Sequence, residues 1–296
     1  MQLSGADIIV RVLIEQGCGV VFGYPGGQIL NVYDSLYRYS DEIEHILTAH
    51  EQGAVHAADG YARATGKTGV VISTSGPGAT NLVTGIATAY LDSVPLIAIT
   101  GNVPTSQIGY DSFQEIDITG VTLPITKHNY FVSDVTKLAD TLREAFHLAA
   151  SGRPGPVLVD VPKDVQIAKC EYTPAPPVTP DPPQAAKDIR IQEAAEILNS
   201  CESPYIYFGG GLISGAAQEQ MLALAEKMDA VIGCSLMGIS GIPTDHPRFL
   251  GMEGMHGHYA SSMAMNKADC IVALGVRFND RATGDRKKFA THAKVG

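Results

Sequence analysis

Apolar residues recur along this chain in two rhythms, and glycines mark most of the changes between them. Ile9, Val10, Leu13 and Ile14 follow helical spacing and stop at Gly17. Ser4 and Asp7 precede them as a capping box, with Asp where Glu or Gln is usual. A short apolar run at 20–22 reads as a strand and enters Gly23-Tyr24-Pro25-Gly26-Gly27. Ala54, Ala57, Ala58, Tyr61 and Ala62 mark a second helix inside the stretch 47–66. It starts at Glu51 and stops at Gly66, which can take a left-handed cap, and Arg63 suits its final turn. Small side chains on that face let another backbone come close. The run at 69–74 predicts a buried strand, Ser75-Gly76-Pro77-Gly78 a turn, and 79–91 a helix. A strand at 95–100 leads into a long polar loop over 101–122, then a helix to 150 and a strand at 157–161. Strand, glycine turn and helix in repetition predict a parallel α/β sheet.

Six prolines fall between 174 and 183, a density that excludes helix and central strand. They predict a stiff linker over 169–188, between a first domain at 1–168 and a second at 189–296. The second repeats the rhythm. A helix at 189–198 and a strand at 205–208 run into Gly209-Gly210-Gly211, and a helix follows at 216–228. Strands are expected at 231–235 and 270–274, the latter ending in Gly275-Val276-Arg277. The fold class is therefore α/β, two parallel-sheet three-layer domains. A glycine turn aimed at a helix N-terminus suits a phosphate, although tight turns alone explain many such glycines. The turn at 75–78 is not a P-loop, because no Lys-Ser or Lys-Thr follows its glycines, and the triplet at 209–211 alone is a weak dinucleotide signal.

Composition narrows the partners. The 296 residues carry a net charge of −10 with no basic block, which argues against nucleic acid and acidic membranes. No apolar run reaches the length of a membrane span, and the N-terminus lacks the pattern of a secretory signal. Five scattered cysteines show neither metal-ligand nor redox spacing, so free thiols in a reducing, cytoplasmic setting are expected.

Glu51 leaves an apolar strand at a helix start. An isolated Glu there is usually just favoured by the helix dipole, but Leu47 and Ala49 before it predict burial. This stretch resembles the cofactor-activating segment of thiamine-diphosphate enzymes, and most closely the acetohydroxyacid (acetolactate) synthase large subunits. In that family the glutamate hydrogen-bonds N1′ of the aminopyrimidine and so activates thiazolium C2. The resemblance implies that Tyr24, Pro25, Gly26, Pro77 and Asn81 contact thiamine diphosphate. It places the Gly27 amide near the reacting carbonyl, Phe113 and Gln114 of Phe113-Gln114-Glu115 at the reacting centre, and Lys163 on the substrate path. His128 alone reads as structural.

The second domain is similar to the FAD-binding middle domain of the same family. Gly-Met-His-Gly at 254–257 and Arg-Phe-Asn-Asp-Arg at 277–281 carry that likeness, with Asn279 where the family has Asp. It implies FAD contacts from Arg153, Gly209, Gly210, Gly211, Leu236, Met237, His256, Gly257, Gly275, Val276 and Arg277. Met255 and Arg281 would face the substrate, with Arg281 pairing with the carboxylate of the second ketoacid. The family condenses pyruvate with pyruvate or 2-ketobutyrate, with loss of CO2, in branched-chain amino acid biosynthesis. Its members are homodimers or tetramers, some with a small regulatory subunit. The family's third domain, whose Gly-Asp-Gly…Asn motif binds Mg2+ and the diphosphate, has no counterpart here. The chain is therefore expected to be an N-terminal fragment with a truncated FAD domain, inactive by itself. Two rivals remain, another thiamine-diphosphate ketoacid carboligase or decarboxylase, and a non-catalytic assembly module. Glu51 argues against glyoxylate carboligase, which lacks this acid.

Overall fold

The computed structural model describes residues 1–182 and 185–296 and divides into two compact units, Met1–Pro183 and Gln184–Gly296. The first unit contains strands β1 (Gln2–Ser4), β2 (Val20–Tyr24), β3 (Glu44–Leu47), β4 (Gly69–Ser73), β5 (Leu96–Asn102), β6 (His128–Phe131), β7 (Pro156–Pro162) and β8 (Lys169–Glu171). Its helices are α1 (Gly5–Glu15), α2 (Leu30–Arg38), α3 (Glu51–Thr65), α4 (Pro77–Thr80), α5 (Val83–Asp92), α6 (Ile118–Thr122), α7 (Val135–Ala150) and α8 (Lys163–Ile167). Six strands form one parallel sheet in the order β3-β2-β4-β5-β7-β6. Helices α1, α2 and α7 fill one face with Ile8, Ile9, Leu13, Leu36, Leu138 and Leu142. Helices α3 and α5 fill the other with Ala54, Ala58, Ala62, Ile86 and Ala89. Both faces are covered, so β4 reads as an unbroken apolar run and is buried along its whole length.

The local signals act as their chemistry predicts. Ser4 caps α1 by accepting the Asp7 amide at 3.2 Å. Gly66 closes α3 in the left-handed region, φ +71°. The alanine stripe of α3 permits close approach, since a Cβ on Gly69 would fall 2.9 Å from the Ala58 carbonyl carbon. The helix expected at 79–91 is broken into α4 and α5 around Asn81 and Leu82. The strand expected to end before Glu51 is β3, whereas strands β1, β6 and β8 and helices α2, α6 and α8 were not expected.

The segment expected to begin the linker belongs to the first unit. β8 pairs antiparallel with β1, and Tyr172 is buried in the core. The proline-rich segment beyond is tied down by amides that its prolines leave available. Ala175, Val178 and Asp181 donate to Glu15 Oε2, Gln16 Oε1 and Ser151 Oγ at 3.0, 2.9 and 3.1 Å. Pro183 and Gln184 of the expected linker lie outside the described residues.

Glu15 is the centre of that strap. Burial opposes its charge, but Arg143 grips both its oxygens at 2.8 and 2.9 Å. The Ala175 amide and the Tyr172 hydroxyl add two more bonds, and the carboxyl falls to about 2. A depressed carboxyl stabilises the fold fully above its unfolded value of 4.5 and loses that contribution as pH falls towards 2. The contribution is on the order of 3 kcal/mol at neutral pH. Wild-type protein should therefore lose more stability than Glu15→Gln between pH 5 and pH 2, by about that amount. Urea midpoints across that range check it, and parallel curves for the two proteins would refute it.

The second unit has helices α9 (Asp188–Asn199), α10 (Gly210–Ser214), α11 (Gln218–Met228), α12 (Tyr259–Lys267) and α13 (Asp280–Thr283). Its strands are β9 (Pro204–Phe208), β10 (Val231–Cys234), β11 (Phe249–Met252), β12 (Cys270–Leu274) and β13 (Lys294–Val295). They form a parallel sheet in the order β11-β10-β9-β12-β13. Phe208, Leu212, Met221 and Ile232 pack on one face, and Tyr205, Tyr207, Met265 and Ile271 on the other.

Candidate functional site

In the first unit, the chain leaves β2 for one side of the sheet and leaves β4 for the other. In open parallel sheets such a reversal leaves a crevice at the carboxyl ends of the strands, here β2 and β4, where ligands bind. The Tyr24-Pro25-Gly26-Gly27 loop leaves β2, and Ser75-Gly76-Pro77-Gly78 leaves β4. The two loops are joined by the Gln28 amide, which donates to Thr74 Oγ1 at 3.1 Å.

Glu51 stands at the head of α3 beside this crevice and is 8% exposed. His50 caps the helix in front of it, its Nδ1 accepting the Gln52 amide at 3.0 Å. Asn81 Nδ2 donates to Glu51 Oε2 at 2.9 Å, so the break between α4 and α5 has a use. It turns an amide towards the acid. A Cβ on Gly78 would lie 2.6 Å from Thr74 Cγ2 and 3.2 Å from Glu51 Oε1. Only glycine leaves the carboxylate that room. Burial first, and the charge of Glu51 second, hold the Tyr33 phenol protonated well above its ordinary range.

The long loop reaches the same place. A Cβ on Gly76 would lie 2.7 Å from the Gln114 carbonyl oxygen, and Gln114 itself has φ +61°. A non-glycine residue held in the left-handed region stores strain. Phe113 beside it is 83% exposed. From the end of β7, Lys163 donates to the Gly27 carbonyl at 3.1 Å. The fold thus gathers Glu51, Gly26, Gly27, Pro77, Asn81, Gln114 and Lys163 at one sheet edge. Arg153 stands apart from them, donating to Ser93 Oγ at 2.8 Å and to the Tyr90 carbonyl at 3.3 Å, at the end of α5.

Some polar residues at this edge carry no sequence signal. Asp160 is 1% exposed and accepts from Thr100 and Asn102. Burial outweighs those two donors and, helped by the charge of Asp117, pushes its carboxyl up to about 7. In the sequence it reads as one polar residue in an apolar strand.

The second unit has its own reversal, between β9 and β12. Gly209-Gly210-Gly211 leaves β9, and Gly275 leaves β12 with φ +57°. The two turns pack on each other, for a Cβ on Gly209 would lie 2.6 Å from the Gly275 oxygen. Gly211 donates its amide to that same oxygen at 2.9 Å. The amide is thereby taken by the chain itself, and α10 behind it is only five residues long. The glycine triplet therefore has a packing role that its spacing did not reveal. Leu236 and Met237 lie on a short 3-10 turn after β10, and Met237 is beside Gly210. Val276 borders Gly209, and Arg277 follows it.

The 254–257 and 277–281 loops meet. The Met255 amide donates to the Arg281 carbonyl at 2.8 Å, and Arg281 Nη1 lies 3.5 Å from Met255 Sδ. Asn279 caps α13 through the Ala282 amide at 2.9 Å. His256 is exposed, and Gly257 folds back to donate to the Gly254 carbonyl at 2.8 Å. Glu253, just before, is buried, and its Oε2 has no hydrogen-bond partner among the described residues. Burial pushes its carboxyl up.

Two domain families match the chain. The N-terminal TPP binding domain of thiamine pyrophosphate enzymes covers residues 3–121, and their central domain covers 191–295. The chain is 48% identical to the probable acetolactate synthase large subunit of Methanocaldococcus jannaschii over 99% of its own length and 50% of that protein. It is 47% identical to the acetolactate synthase isozyme 3 large subunit of Escherichia coli, covering 52% of it. The large subunit of Corynebacterium glutamicum is 47% identical, with 47% of its length covered. The chain spans about half the length of these relatives. It belongs to the thiamine pyrophosphate enzymes and carries their N-terminal and central domains.

Proposed function

We propose that this chain is the N-terminal half of an acetolactate synthase large subunit, which condenses pyruvate with pyruvate or 2-ketobutyrate and releases CO2. The buried Glu51 carboxylate, held by Asn81 at the crevice between β2 and β4, carries this reading. The residues present fit thiamine diphosphate. One carboxylate oxygen is fixed by an amide, glycine clears the space beside the other, and Ser75 Oγ is buried without a partner among the described residues. Tyr24, Pro25, Gly26, Pro77 and Asn81 would line the aminopyrimidine. When bound, thiamine diphosphate supplies the nucleophilic carbon and the electron sink for decarboxylation. Glu51 would share a proton with N1′ of the ring. Asn81 keeps that carboxylate aimed, Gly27 would offer its amide to the substrate oxygen, Gln114 and Phe113 would shape the pocket, and Lys163 would line its entrance.

FAD would lie on the second unit, against Gly209, Gly210, Gly211, Leu236, Met237, His256, Gly257, Gly275, Val276 and Arg277. The free oxygen of buried Glu253 supports a hydroxyl-bearing ligand at that loop, since a buried acceptor left unpaired is costly. Mg2+ would come with the remaining half of the enzyme, in a homodimer or tetramer, with or without a small regulatory subunit. No described helix is long and apolar enough to cross a membrane, and a cytoplasmic setting is part of the proposal.

The test is direct. A chain completed to the length of its relatives, given pyruvate, thiamine diphosphate, Mg2+ and FAD, should form acetolactate. CO2 release without a condensed product would point instead to a decarboxylase. Arg281 refines the test. Its closest acid, Asp280, is 3.9 Å away at an exposed position, so the fork remains available for a carboxylate. Arg281→Lys should weaken selection between 2-ketobutyrate and pyruvate by about 10-fold, the value of one charge-assisted bond. Product ratios in competition, beside the rate of CO2 release, read this effect. Wild-type values for both would remove Arg281 from the acceptor site.

A further inference from the structure

Strands β5 and β7 lie side by side, with Thr100 opposite Asp160. The two oxygens of Asp160 accept from the Thr100 hydroxyl at 2.7 Å and from Asn102 Nδ2 at 2.6 Å. Asn102 in turn accepts the Val103 amide on its own Oδ1 at 2.8 Å. Val103 begins the loop that carries Phe113 and Gln114. All four residues are buried. One turn later, Asp164 accepts the Thr105 amide at 3.0 Å and its hydroxyl at 2.5 Å. The same segment holds the other loop. Lys163 donates to the Gly27 carbonyl, and Gln166 Nε2 donates to the Gln28 carbonyl at 2.8 Å. Residues 160–166 therefore grip both loops that border Glu51.

A buried carboxylate is an expensive way to stabilise two strands, because an apolar pair would pack there at no desolvation cost. What a satisfied polar network adds is a single geometry. We propose that Asp160 is a positioning residue, which fixes through Asn102 the point where the 103–117 loop leaves β5 and hence where Gln114 lies. This rests on the roles given above to Gln114 and Glu51, but its test does not.

Hydrogen exchange of the 296-residue chain, without cofactor, reads loop protection directly. Asp160→Val removes both acceptors and leaves Asn102 Nδ2 without its partner. Exchange of amides 103–115 should rise about 10-fold or more, as expected for local opening after the loss of the buried bond at Asn102, while β4 and α7 stay protected. The double variant Asp160→Asn/Asn102→Asp exchanges donor and acceptor, and should restore wild-type protection. Should Asp160→Val fail to fold, Asp164→Ala at the exposed end of the clamp takes its place and should free 105–107 alone. Unchanged loop exchange, loss of protection spread evenly through the unit, or a double variant that restores nothing would overturn the proposal. A failed assignment of the reaction would leave these exchange rates as they are.

Discussion

Glu51→Gln should lower acetolactate formation by the completed enzyme at least about 10²-fold, and as much as about 10⁴-fold, the range of general acid–base roles. The fold should survive. Glutamine keeps the volume of glutamate, and its carbonyl can still accept from Asn81, which now bonds Oε2 at 2.9 Å. The amide nitrogen then faces the crevice, where it can donate but cannot share a proton with a ring nitrogen. The chemical defect should therefore precede any binding defect. Proton exchange at C2 of bound thiamine diphosphate, followed by NMR, isolates that step. Wild-type exchange in the variant would mean that another group holds the proton, and the reading of this crevice would fall.

Phe208→Ala should cost the second unit about 3–5 kcal/mol, as large-to-small changes of buried aromatics do. Phe208 ends the central strand β9, is fully buried, and has its ring centroid 6.4 Å from that of Phe249. Its carbonyl accepts the Ser235 amide at 2.9 Å, at the start of the turn that carries Leu236 and Met237. Truncation leaves a cavity directly below the glycine turn. A domain of this size has only about 5–15 kcal/mol in all, so little margin would remain. Denaturant unfolding should show the second unit melting at a much lower midpoint while the first keeps its own. A shift below about 1 kcal/mol would show that the site collapses freely around the smaller side chain.

These two positions differ in how far the sequence betrays them. Both sheets were legible because parallel strands covered on two faces must be apolar throughout, as in 69–73 and 270–274. Caps at Ser4 and Gly66 were legible because a few adjacent atoms set them. Glu51 was legible from its place between an apolar strand and an alanine-rich helix, sharpened by family likeness. An edge strand such as β6, partly exposed and short, takes its form from a neighbour's hydrogen bonds and leaves no period of its own. The same holds for the strap at 172–181, which the prolines present as a spacer. Its anchors on Glu15, Gln16 and Ser151 lie 30 to 162 residues away. Local pattern thus determined the two α/β layers, their glycine turns and the acid at the head of α3. Tertiary structure alone decided that Asn81 meets Glu51 across 30 residues, that Gln114 is pressed against Gly76, and that Asp160 holds Asn102 across 58. The physical reason is the same in each case. These contacts join chain segments that only the strand order brings together, and a hydrogen bond between distant residues imposes no period on either stretch that makes it.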